Sequence, residues 1–119
     1  MTRSAPIPLY QAKADFFRTL GHPVRIRVLE LLQVRPMQVR ELLAELELEP
    51  SSLSQQLAVL RRAGIVRADR VDGAVTYSLA AADVGELMTA ARRFLTAILA
   101  GQGELLAELR QPTSGSARR

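Results

Sequence analysis

The apolar residues of this chain change their period once, and that change constrains the fold more than any other feature. Up to residue 63 they recur every three or four positions, in stretches cut by Gly21, Pro23, Pro36, Pro50 and Gly64. Beyond Gly64 they alternate. Val66 and Ala68 alternate with Arg67 and Asp69, and Val75, Tyr77 and Leu79 with Thr76 and Ser78. Between the two alternating runs stands Asp72-Gly73, the strongest short hairpin signal. From residue 82 the helical spacing returns. A chain of 119 residues has room for one core, so helices and hairpin must share it.

The spacing predicts a helix over residues 9–20. Leu9, Ala12, Phe16 and Leu20 share one face, Phe17 sits beside them, and Gly21 ends it. A second helix opens at Pro23. Proline suits a first helical position and pushes its predecessor out of helical geometry, so His22 is a boundary residue with a structural role. Ile26, Val28, Leu29 and Leu32 point inward, and Pro36 closes the stretch. A third helix is expected over 38–46 with Val39, Leu42, Leu43 and Leu46 inward. A tight break at 47–50 leads to a fourth over 50–63, with Leu53, Leu57 and Leu60 inward and Gly64 as the stop. Pairing around Asp72-Gly73 sets Val71 opposite Ala74, Asp69 opposite Thr76 and Arg67 opposite Ser78. The inner face is then Val66, Ala68, Val75, Tyr77 and Leu79.

The last helix starts near residue 82 and extends to 109 on Val84, Leu87, Met88, Ala91, Leu95, Ile98, Leu105 and Leu109. Such a helix is roughly 42 Å long, wider than a domain of this size. Gly101 and Gly103 are the points where it can bend or break. Residues 1–8 are expected to be flexible and the Pro-, Ser- and Arg-rich residues 111–119 disordered. One domain remains over 9–110.

Composition removes several kinds of chemistry. There is no cysteine and one histidine, His22. A thiolate zinc site, a cysteine nucleophile and cysteine redox sensing are excluded, and a multi-histidine metal site cannot be built within one chain. With no Gly-rich phosphate loop and no nucleophile–base spacing, no enzyme is expected. The start has no apolar targeting region and no run approaches the roughly 20 residues of a membrane span. A soluble, cytoplasmic protein with no metal or cofactor is expected. The net charge is +4, and all but Lys13 of the 16 basic residues are Arg. That balance permits nucleic acid without requiring it.

The order of elements, four helices, a hairpin and a final helix (ααααββα), is that of a winged helix-turn-helix, mainly α with a small β-hairpin wing. Its core is two helices joined by a tight turn, the second of which normally enters the DNA major groove. On a helical wheel Leu53, Leu57 and Leu60 cluster. The opposite face of that second helix presents Ser51, Gln55, Ala58 and Arg62, flanked by Ser52 and Val59, with Ser54 and Gln56 on the edges. Gln can bond adenine through both amide groups, and Ser a base or a phosphate. Ser51 and Ser52 at a helix N-terminus favour a phosphate. Arg61, Arg62 and, on the wing, Arg67 and Arg70 would meet the backbone. Double-stranded DNA is therefore the expected partner. A solvated polar face on a winged-helix protein-interaction module, with no sequence-specific DNA binding, is the alternative.

These residues also resemble a known family. Leu20-Gly21-His22-Pro23-Val24-Arg25-Ile26-Arg27-Val28-Leu29 is similar to the opening signature of ArsR/SmtB-type repressors. Val39-Arg40-Glu41-Leu42 and the run Leu53-Ser54-Gln55-Gln56-Leu57-Ala58-Val59-Leu60-Arg61-Arg62-Ala63-Gly64-Ile65-Val66 continue the likeness, and the wing Arg70-Val71-Asp72-Gly73-Ala74-Val75-Thr76-Tyr77-Ser78-Leu79 completes it. The resemblance covers about residues 9–100. It implies a homodimer, with the first and last helices at the interface, that binds an imperfect inverted repeat in promoter DNA and is released by a ligand.

The departures from the family pattern are specific. Many metal-sensing members carry Cys-Val-Cys on the third helix, and Gln38 and Arg40 stand at those cysteine positions. Neither binds a soft metal as a thiolate does. Other members place Asp and His ligands on the last helix, which here offers Asp83, Glu86, Glu104 and Glu108 but no histidine. The expected protein is thus a dimeric repressor without the usual metal sites, with any small-molecule effector unknown. The apolar surplus of the terminal helices assigns Leu9, Phe16, Phe17, Leu87, Ala91, Phe94, Leu95 and Ile98 to contact with a second copy.

Overall fold

The computed structural model describes residues 6–110. The N-terminal residues 1–5 and the expected disordered tail at 111–119 lie outside the described residues. The elements run α1 (Leu9–Leu20), α2 (Pro23–Val34), β1 (Met37–Gln38), α3 (Val39–Glu45), α4 (Pro50–Arg62), β2 (Val66–Val71), β3 (Ala74–Leu79) and α5 (Ala82–Arg110). Two units are distinguished, one ending at Met88 and one beginning at Thr89.

The first unit holds the core. Val28, Leu29, Leu42, Leu53, Leu57, Leu60 and Val66 are all but sealed from solvent, and Leu20, Leu31, Leu32, Met37, Leu46, Ile65 and Met88 complete the buried cluster. Each fully buried leucine contributes roughly 1.5–3 kcal/mol of transfer free energy. Most of these are residues that the helical spacing points inward. Leu31 was missed because α2 is covered on a broader arc than one stripe.

Punctuation follows the sequence closely. His22 Nδ1 accepts a hydrogen bond from the Val24 backbone N–H at 3.2 Å, capping α2 ahead of Pro23. Helix α4 ends in a nested pair of bonds. The N–H of Gly64 donates to the carbonyl of Arg61 at 2.9 Å and that of Ile65 to Leu60 at 3.0 Å. Gly64 takes φ +77°, which a β-carbon would strain. The third helix is shorter than the spacing predicts, because Gln38 is already extended and serves as its N-cap.

The hairpin pairs in the register that Asp72-Gly73 dictates: Val66 with Leu79, Arg67 with Ser78, Asp69 with Thr76 and Val71 with Ala74. Asp72 and Gly73 both take positive φ, 51° and 80°, as a two-residue hairpin turn requires. A strand absent from the predicted order adds to this sheet. Met37 and Gln38 pair antiparallel with Tyr77 and Thr76, giving the order β1-β3-β2. Val75, placed on the inner face by alternation, is instead exposed at 36%. It lies one pair from the hairpin turn, where the strands have passed the helices that bury Val66.

Gly85 is buried near the start of α5. A β-carbon there would lie 3.0 Å from Gln33 Cγ, so the absent side chain lets α5 approach α2. The helix then continues through Gly101 and Gly103 to Arg110 without interruption. In the second unit its large apolar residues are exposed: Phe94, Leu95, Ile98, Leu99, Leu105, Leu106 and Leu109.

Candidate nucleic-acid interface

Helix α4 is fixed from beneath. Leu53, Leu57 and Leu60 have at most 1% of their surface exposed, and this anchoring decides which residues face outward. Ser51, Ser54 and Gln55 are exposed, as are Arg61 and Arg62 in the last turn. Ser52, Gln56, Ala58 and Val59 are half-buried along the edges. Of the wheel's outward face, Ser51, Gln55 and Arg62 are exposed but Ala58 is half-buried, and Ser54, placed on an edge, is exposed.

The N-terminus of α4 opens with Glu49 as N-cap and Pro50 in the first turn, and no side chain caps it. Its first backbone N–H groups, at Ser51 and Ser52, have no carbonyl partner within the helix. Positive charge gathers at the other end and on the wing. Four arginines against two aspartates over residues 51–80 leave two excess positive charges there. Arg67 Nη2 lies 3.5 Å from Asp69 Oδ2, an exposed and weak ion pair. Arg70 Nη1 donates to the Gly73 carbonyl at 2.9 Å, tying its side chain to the hairpin turn.

Gln56 differs from its neighbour. Its Oε1 accepts from Arg25 Nε at 2.7 Å. Arg25 Nη1 also donates to the Thr19 carbonyl at 2.9 Å. Sequence reasoning missed Arg25 as a neighbour of this face, since nothing local links residues 31 apart.

At the positions of the thiolate triplet, Gln38 and Arg40 hydrogen-bond each other, Arg40 Nε to Gln38 Oε1 at 2.9 Å. Among the described residues, no group of three His, Cys, Asp or Glu side chains is placed to hold a metal ion. No described helix is long and apolar enough to cross a membrane.

The residues assigned to a second copy fall on both units. In the first, Leu9 and Phe17 are exposed, Phe16 and Leu87 half-buried. Phe16 and Phe17 pack edge to face with centroids 5.4 Å apart. A groove of about 550 Å³ runs between them and Val84 and Leu87, with Lys13 and Asp83 also lining it. In the second unit Ala91, Phe94, Leu95 and Ile98 are all exposed.

A model of the family described as bacterial regulatory protein, arsR family, matches residues 22–68, from the N-cap of α2 into β2. The HTH-type transcriptional regulator Rv0081 of Mycobacterium tuberculosis strain H37Rv is 53% identical over 104 residues, covering 87% of this chain and 91% of that protein. The crystal structure of M. tuberculosis Rv0081 matches with a TM-score of 0.74, over 82% of this chain and 98% of that one. The biofilm growth-associated repressor of Agrobacterium fabrum strain C58 is 36% identical over 89 residues, covering 71% of this chain and 76% of that protein.

Proposed function

The chain belongs to the ArsR family of winged helix-turn-helix transcriptional regulators, and on that premise we propose that it is a homodimeric repressor reading an inverted repeat in promoter DNA. The observation that carries this reading is the outward face of α4. Ser51, Ser54 and Gln55 are exposed on a helix whose other side is locked by three sealed leucines. A rigid helix presenting short polar side chains suits base edges in the major groove. Ser52 and Gln56 border that face. Arg61 and Arg62, with Arg67 and Arg70 on the wing, would hold phosphates and set the register.

Dimerisation accounts for apolar surface that one copy leaves open. Leu9 is 70% exposed, and Phe94, Leu95, Ile98 and Leu99 are all exposed close together on α5, the kind of clustered apolar surface that marks an interaction site. A second copy would cover Leu9, Phe16, Phe17 and Leu87, and also Ala91, Phe94, Leu95 and Ile98. It would set two recognition helices against two half-sites. Repression would follow from occupancy of the promoter, in the cytoplasm. A small-molecule effector, if one acts, would change the spacing of the recognition helices through α1 and α5. Without cysteine, the family's thiolate chemistry has no means of supplying that signal.

Selection of bound DNA from a random pool tests the proposal. The expected result is an enriched inverted repeat with two equivalent half-sites. Enrichment of no sequence, with binding to another protein retained, would favour an interaction module.

A further inference from the structure

Helix α1 is lightly held by apolar packing. Of its 12 residues only Leu20 is buried. A cleft of about 270 Å³ lies between its Ala12, Phe16 and Thr19 and the residues that follow α4, Ala63 and Ile65. Arg25, in the first turn of α2, reaches from α1 to α4. Its Nη1 donates to the Thr19 carbonyl at 2.9 Å and its Nε to Gln56 Oε1 at 2.7 Å. Thr19 lies in the last turn of α1, where a helix leaves its carbonyls without donors of its own and its dipole favours a cation. One planar, half-buried guanidinium thus joins the end of α1 to the middle of α4.

We infer that Arg25 is a positioning residue that fixes α1 against α4 and so sets the half-site spacing that the dimer accepts. The inference rests on the dimeric reading, in which α1 meets the second copy and α4 meets DNA. Leu53, Leu57 and Leu60 lock α4 to the core, so the loose part of the link between one recognition helix and the other is α1. A tilt of α1 about Leu20 shifts the partner's α4 relative to its half-site. A half-site moved by one base pair is displaced by about 3.4 Å and turned by about 34°. A loosened helix can follow such a change, and a clamped one resists it. Lysine cannot replace the clamp, since an ammonium is a point charge without the rigid fork that holds two acceptors at once.

The full chain, Arg25→Ala and Arg25→Lys are each titrated against the repeat that the wild type selects, and against that repeat with one base pair inserted or removed at its centre. Circular dichroism verifies folding, and sedimentation the dimer. The wild type is expected to lose about tenfold or more in affinity on either altered repeat. Both variants are expected to remain dimers and to lose less than about threefold, because the two half-sites are no longer rigidly coupled. Their slopes of log affinity against log salt are expected to match the wild type's. The inference is overturned if both variants keep the wild-type penalty for altered spacing. It is also overturned if Arg25→Ala weakens every site alike and lowers the salt slope by about 1 while Arg25→Lys behaves as the wild type, since that identifies a phosphate contact. Dissociation of a folded variant into monomers would overturn it as well, by making Arg25 a residue of association. Should Arg25→Ala fail to fold, Arg25→Lys decides alone. A wild type that sediments as a monomer, or binds all three spacings alike, would overturn the dimeric reading itself and this inference with it.

Discussion

The backbone N–H of Gln38 donates to Glu41 Oε1 at 2.8 Å, so a carboxylate of α3 closes the N-terminus of its own helix. Arg35 Nη1 reaches the same carboxylate at 2.9 Å. The Gln38 N–H first and Arg35 second hold the Glu41 carboxyl below its ordinary value of 4.5. Glu41 therefore binds a proton more weakly folded than unfolded. Its contribution to stability is complete above about pH 4.5 and is lost as pH falls through the lower folded value. Urea midpoints at neutral pH and at a pH about one unit below 4.5 check this. Glu41→Gln is expected to lose less stability on acidification than the wild type, and equal losses would show that Glu41 does not carry the effect.

Leu53 and Gln55 lie two residues apart on opposite sides of α4, and their substitutions separate folding from recognition. Leu53→Ala empties a fully buried position and is expected to cost roughly 2–5 kcal/mol of stability. Gln55→Ala removes an exposed side chain and is expected to change stability by less than about 0.5 kcal/mol. Its specific DNA affinity is expected to fall by about 1–3 kcal/mol, with binding to random DNA unaltered. Thermal unfolding and anisotropy titrations read the two effects apart.

Arg67 and Arg70 on the wing are expected to act through phosphates. Replacing either by alanine should weaken specific and random DNA alike. It should also reduce the slope of log affinity against log salt by about 1 for each phosphate no longer neutralised. A slope identical to the wild type's would leave that arginine with only its present partner, Asp69 or the Gly73 carbonyl.

Leu95 is 54% exposed, so a charged residue there is tolerated by a single copy. Leu95→Asp is expected to sediment as a monomer with its helical content unchanged. Losing a bivalent grip on two half-sites, it should bind the selected repeat about 100-fold more weakly. Sedimentation of the variant as the same species as the wild type would remove this part of α5 from the interface.

How much was legible in the sequence depended on how local the cause was. The hairpin register could be read in full, since Asp72-Gly73 admits one tight turn and the pairing follows from it. The His22 cap, the Pro23 and Pro50 starts and the Gly64 stop were legible because each acts within a turn of chain. β1 was not. Two residues after Pro36 carry no period, and their partners on β3 lie some forty positions on, so only the assembled sheet reveals them. Val75 shows the limit of alternation, which gives the side of a strand but not where the core beneath it ends. In α5 the apolar spacing was legible, yet spacing alone does not say whether Leu95 meets a core, a second copy or water. The same limit concealed the Arg25–Gln56 pair, which a helical wheel of α4 alone cannot contain.

The central claim is that α4 reads sequence, and the most direct measurement is a ratio of affinities. Titrating the wild-type chain at physiological salt against the selected repeat and against random DNA of equal length gives it. A ratio of roughly 1,000 or more is expected of a sequence-specific regulator. A ratio near 1 would contradict the claim and leave the exposed serines and Gln55 as a solvated face.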